Sequence, residues 1–313
     1  MRKRLVVVGG TGRPGWEALP DAVLDAVRER TGQVRAVRMK PGRGDGWFRA
    51  ALDAERGRVF VKGARVEHES AWLLEREAGV GPLLGALGPE VRWRVTAEGW
   101  DLVGWEHVEG RAADYAPGSP DLPRVVEALT GAGRLACAGA EVAVAGLRWG
   151  AYLDDRADAA LLDGEALLHT GWHPGQVLIG EDGPRLVGWG MATRGAAWID
   201  PACWVLRLVL AGHGPAAAER WAARVPAWAK APRRALDAFA AAQARYWWAA
   251  ALERPETRAR GLADAAAAWA AHRRGEPGAA AEGQPAAWAA RGGSHAPERA
   301  RPRPAPIRRL RRG

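Results

Sequence analysis

The chain has 313 residues, 48% of them hydrophobic and 26% charged, with a formal net charge of +9. Such a composition suits a packed protein long enough for two lobes, and it excludes a wholly disordered or collagen-like polymer. Four lysines stand against 41 arginines, asparagine is absent and tryptophan (17) outnumbers phenylalanine and tyrosine (3 each), a bias toward G/C-rich codons that accounts for much of the basicity without a nucleic-acid partner.

Residues 1–15 read as an N-terminal extension. Its Leu5–Val8 run is far shorter than a signal peptide's apolar region, and no segment of the chain approaches about 18 uninterrupted apolar residues, so neither export nor a membrane span is expected. With only Cys137 and Cys203, a reducing cytoplasm is the expected setting. The turn Gly9-Gly-Thr-Gly-Arg-Pro-Gly15 has a spacing that suggests dinucleotide binding. A dinucleotide fold would continue with alternating strands and helices. Here one helix, about 16–31, is followed by three strand-like runs at 33–39, 47–52 and 58–62 joined by short glycine-containing turns, a pattern that predicts an antiparallel meander. NAD(P) binding is therefore a minor expectation.

The turn at 40–46 carries Gly42, Gly44 and Gly46, which would let backbone amides approach a phosphate or simply make a hairpin turn. The strand after it ends in Val59-Phe-Val-Lys62, and an amphipathic helix with Leu73, Leu74, Glu75, Glu77 and Val80 comes next. Strands at 91–95 and 100–105 complete a first lobe at 16–105, and Glu106-His-Val-Glu-Gly110 reads as the connector to a second, mainly helical lobe at 106–274. Helices are predicted at 121–135, at 142–162 and over 216–274 with breaks at Pro226, Pro232 and Pro255. Asp154, Asp155, Asp158 and Asp163 give the second of these an acidic face, either solvated or turned to a cationic ligand. Residues 275–313, with eight arginines, three glutamates and abundant Pro, Gly and Ala, read as a disordered basic tail. Such a tail is a solvated appendage or a weak anchor for nucleic acid or anionic lipid.

The most informative stretch is Leu167-Leu-His-Thr-Gly-Trp-His-Pro-Gly-Gln-Val-Leu-Ile179, then the turn Gly180-Glu-Asp-Gly183, then Arg185-Leu-Val-Gly-Trp189. A loop and short hairpin set in a helical lobe resembles the catalytic loop and metal-binding strand of the aminoglycoside phosphotransferase and choline kinase group. In that group the loop reads His-x-Asp-x-His-x-x-Asn and the strand ends in a second Asp before a large aromatic. The resemblance spans about residues 33–272 and implies an α+β, bilobal, protein-kinase-like fold with a small antiparallel-sheet lobe and a mainly helical lobe. It also implies that Lys62 and Glu77 grip a nucleotide such as ATP, together with Gly42, Gly44 and Gly46. His169, His173, Trp189 and Asp200 match the pattern, with structural roles implied for the two histidines and Asp200; from the residues alone Asp200 reads equally as a helix cap.

Three positions depart from it. Gly171 stands where the catalytic Asp belongs, Gln176 where the metal-binding Asn belongs and Gly188 where the metal-binding Asp belongs. Phosphoryl transfer needs Mg²⁺ bridging the phosphates and a carboxylate orienting the attacking hydroxyl. Glycine supplies neither, and one neutral amide is a poor replacement for a carboxylate and an amide. Loss of the general base alone costs about 10²- to 10⁴-fold. A His169/His173 zinc pair lacks a third ligand. The expectation is a pseudokinase with no intact catalytic residues, weak ATP binding, little use for Mg²⁺ and an unidentified small-molecule ligand. The alternative is an active ATP-dependent small-molecule phosphotransferase whose metal is held by other groups.

Overall fold

Runs of consecutive buried residues in the strands at 47–54 and 57–65 mark a sheet covered on both faces. The structure is a computed structural model and describes residues 6–8, 16–40, 46–253 and 259–276. The turn expected to carry Gly42 and Gly44, the glycine turn at 9–15 and the tail lie outside the described residues. The sheet orders its strands β1 (Val6–Val8), β2 (Val34–Lys40), β3 (Trp47–Ala54), β4 (Gly57–Arg65), β6 (Trp100–Glu106) and β5 (Val91–Ala97), antiparallel except at one edge. There β1 pairs parallel with β2, with Val7 opposite Val37, across the helix α1 (Asp21–Thr31). The expected antiparallel meander forms in β2, β3 and β4, and the Val6–Val8 run of the N-terminal extension, whose β-branched residues suit a strand, adds one parallel strand at its edge. Pro20 separates α1 from a single 3₁₀ turn at Trp16–Ala18, so the expected helix at 16–31 is shorter.

Val59 and Val61 of β4 and Leu102 of β6 face one way, toward Val23 and Val27 of α1. Ala64, Val103 and Trp105 face the other way, toward Leu73 and Leu74 of α2 (Ala71–Val80). Alternation along β4 puts Lys62 on this second face, beside α2.

The second lobe packs α3 (Leu122–Ala132), α4 (Ala145–Trp149), α5 (Ile199–Leu210), α6 (Pro215–Ala222), α7 (Arg233–Glu253) and α8 (Ala259–Arg273) around one core. Trp149, Trp172, Trp189, Trp204 and Trp269 are all fully buried there. Two small sheets are set among the helices. One runs β7 (Arg111–Ala112), β10 (Val177–Gly180) and β11 (Gly183–Leu186); the other joins β8 (Ala143–Val144), β12 (Thr193–Gly195) and β9 (Ala166–Leu168).

A continuous helix at 142–162 does not form. After α4 the chain makes a 3₁₀ turn at Gly150–Tyr152, extends at Leu153 and restarts as 3₁₀ at Arg156–Leu162, where the Asp155 carboxylate accepts the Ala157 N–H at 2.9 Å. Asp at such a restart competes with helix continuation by capping. The lobes meet where Arg185 of β11 reaches up to the Gly88 carbonyl (2.6 Å) and the Glu106 carboxylate (2.9 Å). That hydrogen bond holds Glu106 below the usual carboxylate range against the opposing effect of burial.

Candidate functional site

The site begins with a charge pair. Lys62 Nζ lies 2.5 Å from both carboxylate oxygens of Glu77, and the two residues are only 7% and 6% exposed. Glu77 faces β4 because it lies three and four residues beyond Leu74 and Leu73, on the same stripe of α2. The ammonium also stands 4.9 Å from the centre of the Trp105 ring, a desolvated cation–π contact. Glu77 Oε1 accepts the Trp189 N–H at 3.2 Å and so fastens the first lobe to the residue following Gly188. Gly190 permits this approach, since a Cβ there would lie 2.9 Å from the Leu73 carbonyl oxygen.

Below that pair runs the loop at 169–176. Its backbone is strained: Thr170 has φ +60° and Trp172 φ +36°, conformations that non-glycine residues hold only when the surroundings impose them. Asp200 supplies the constraint. One carboxylate oxygen accepts the His169 N–H (2.9 Å) and the other the Thr170 N–H (2.8 Å). Asp200 lies inside the first turn of α5, and its carboxylate serves the loop, whereas a helix cap would serve its own helix. Full burial raises this carboxyl to about 6 in spite of those hydrogen bonds.

His169 is also wholly buried, with Nδ1 accepting the Gly171 N–H (3.2 Å) and Nε2 donating to the Val187 carbonyl (3.1 Å), between the Trp172 and Trp189 rings. Burial drives its imidazole down to about 4, so the ring is neutral near pH 7. His173 Nδ1 accepts the Gly175 N–H (3.0 Å) at the head of the 3₁₀ turn Pro174–Gln176. Arg148 of α4 carried no motif in the sequence. Its guanidinium nevertheless joins Thr170 Oγ1 (2.8 Å), the Met191 carbonyl (3.2 Å) and Thr193 Oγ1 (3.0 Å), tying the loop to the segment beyond Gly188.

At the centre Gln176 is held between Gly171 and Gly188. Its Oε1 accepts the His173 N–H (3.4 Å) and its Nε2 donates to the Gly188 carbonyl (3.2 Å). A Cβ built on Gly171 would lie 2.5 Å from Oε1, and one on Gly188 would lie 2.7 Å from Nε2. The structure thus brings together Lys62, Glu77, Gly188, Gln176, Gly171, His169 and Asp200, with Gly46 at the start of β3 on the sheet side.

The remaining acidic residues are engaged or remote. Asp154 pairs with Arg245, and Asp158 and Asp155 pair with Arg234 at 2.6 and 3.6 Å. Three of the four acidic side chains of this segment thus pair with arginines of α7, and of these Asp154 and Asp155 stay largely exposed to solvent. Glu181 and Asp182 sit at the tip of the β10–β11 hairpin. Among the described residues no group of three or more His, Cys, Asp or Glu side chains could hold a metal ion. Mg²⁺ prefers octahedral hard-oxygen ligands, and a glycine on either side of one already bonded amide does not fit it.

No protein-family model matches the sequence, and no curated protein matches it. Solved structures do match. The aminoglycoside phosphotransferase APH(4)-Ia aligns with TM-score 0.55 at 14% identity over 82% of this chain and 99% of its own. Choline kinase LicA from Streptococcus pneumoniae aligns with TM-score 0.53 at 13% identity over 80% and 99%. A putative aminoglycoside phosphotransferase from Ralstonia eutropha JMP134 gives TM-score 0.50 at 11% identity over 81% and 95%. Thermostable variants of APH(4)-Ia form ternary complexes of hygromycin B with ADP or with AMP-PNP. The chain therefore has the protein-kinase-like fold of these small-molecule kinases, as the resemblance implied, with an antiparallel-sheet lobe and a helical lobe. No described helix is long and apolar enough to cross a membrane.

Proposed function

We propose that this protein is a cytoplasmic pseudokinase of the aminoglycoside phosphotransferase type, which binds a nucleotide weakly and without Mg²⁺ and has lost efficient phosphoryl transfer. The observation that carries the reading is the contrast across Trp189: its N–H is bonded to the Lys62–Glu77 pair, while the residue before it is Gly188 and no carboxylate stands at 171. A buried lysine held by a carboxylate can contact a phosphate as a point charge. Among the described residues, none beside it supplies the ligands and base that transfer requires. Asp200, His169 and His173 keep the loop in shape, and Gly46 borders the turn proposed to approach the phosphates. The relatives' complexes with ADP and AMP-PNP support a nucleotide as ligand, and a hydroxylated small molecule remains the proposed second ligand.

Thermal unfolding with ATP, in the presence of Mg²⁺ or of chelator, tests this reading. At about 100 times Kd a nucleotide stabilises by roughly 2.7 kcal/mol, and the expected shift is the same in both conditions. ATP-dependent phosphorylation of any small hydroxylated acceptor at about 1–100 s⁻¹, the usual kinase range, would overturn it.

A further inference from the structure

In the sequence Gly171 and Gly188 are two of three departures from the kinase pattern. The geometry ties them to the third departure. Gln176 is one methylene longer than the Asn expected at its position, and that extra length carries its amide into the gap between the two glycine α-carbons. The amide is fixed by bonds of opposite sense: its oxygen takes the His173 N–H and its nitrogen gives to the Gly188 carbonyl. Both glycines then accommodate the glutamine where it stands, because a side chain at 171 or at 188 would start with its first carbon 2.5 Å or 2.7 Å from the amide and displace it from its two hydrogen bonds. Such separations are well inside van der Waals contact, and Gln176 cannot retreat without giving up both hydrogen bonds. Gly188 has in addition φ +84°, a conformation glycine holds freely and Asp or Asn tolerate.

We propose that Gln176 is an internal plug that closes the cation position between the catalytic loop and the hairpin, and that residues 171, 176 and 188 form one packing unit in which the two glycines accommodate the glutamine. The centre is a rebuilt, neutral, hydrogen-bonded junction. It acts as a positioning element, bridging the loop to Gly188 where a metal would otherwise join them. Nothing in this inference depends on whether the cleft binds a nucleotide.

A stability cycle on the full chain tests it. Gly171→Ala is expected to lower the melting temperature by about 3–6 °C when Gln176 is present, the scale of an overpacked core. In the Gln176→Asn background it should lower it by less than half as much, the remainder arising from His169 Cε1, which lies 2.9 Å from the added carbon. Equal shifts in the two backgrounds would overturn the plug. A second arm compares Gly171→Asp/Gly188→Asp with the same pair plus Gln176→Asn, melted in ATP with and without Mg²⁺. A Mg²⁺-dependent rise is expected only in the triple variant, and an equal rise in both would also overturn the proposal. Coupling in the first arm with no response to ATP by any variant would instead retire the nucleotide reading and leave the plug standing.

Discussion

Lys62 and Glu77 form a buried ion pair in which each Glu77 oxygen lies 2.5 Å from the ammonium, and the same carboxylate anchors the Trp189 backbone. Removing one partner of a buried pair strands the other charge, typically at a cost of about 3–5 kcal/mol. Lys62→Met is therefore expected to destabilise the fold by that amount in urea unfolding. It should also abolish any ATP-induced shift. A variant as stable as the parent would mean that Glu77 finds another cation.

His169 sets a pH dependence. Its folded pKa is depressed from the ordinary 6.5 to about 4 by burial. A depressed base contributes stability that is fully present above 6.5 and is lost as the pH falls through 4. At about 1.36 kcal/mol per pH unit of separation the contribution is of order 3 kcal/mol. The stability advantage of the parent over His169→Gln should accordingly shrink as buffer is taken from pH 7 to pH 4. An advantage independent of pH over that range would show that the ring is not held neutral by burial.

Asp200 behaves in the opposite sense, because burial raises its carboxyl from 3.8 to about 6. Its contribution is full below 3.8 and lost as the pH rises through 6. At neutral pH its value lies in the two amides it accepts, so Asp200→Ala should release the strain at Thr170 and Trp172 into a mobile loop. The cost is expected at about 2–4 kcal/mol, two buried N–H groups being left without partners. Amide exchange at His169 and Thr170 is the direct readout, and continued protection of both amides would contradict the assignment.

Gly190 offers a steric test of the junction between the lobes. Gly190→Ala would push its methyl against the Leu73 carbonyl oxygen, 2.9 Å from the new carbon, and should cost about 1–3 kcal/mol with loss of the Trp189 bond to Glu77. Unchanged stability would show that α2 can move away freely.

The β5–β6 hairpin provides a test away from the site. Ala97 pairs with Trp100, and the two residues between them, Glu98 and Gly99, both have positive φ (47° and 72°). A turn of this kind favours Asn-Gly. Glu98→Asn is expected to stabilise by roughly 0.5–1 kcal/mol, seen as a raised melting temperature.

Much of the architecture was legible in the chain. Short strand-like runs between glycine-containing turns located β2 to β6, and the Lys62-to-Glu77 pairing was legible through the resemblance, which matched the lysine ending a strand and the glutamate on the helix after it. Asp200 was legible only through the resemblance, since nothing local indicates that its carboxylate reaches residues 31 and 30 positions earlier. The helix α5 went unmarked because Ile199 to Leu206 is buried on every side, which erases the amphipathic rhythm that betrays a helix. Arg148 and the seating of Gln176 were invisible for a related reason: in both, the meaning of the side chain lies in groups brought together from β12, the hairpin and the loop, and glycines leave no trace of what fills the space beside them.

Arg185 bears on how this molecule moves. With its guanidinium bonded to Gly88 and Glu106, it braces the connector end of β6, while the Trp189 bond to Glu77 fastens the two lobes inside the cleft. A swing of one lobe away from the other would therefore have to break the Trp189–Glu77 bond, while the Arg185 brace lies beside the pivot and can stay in place.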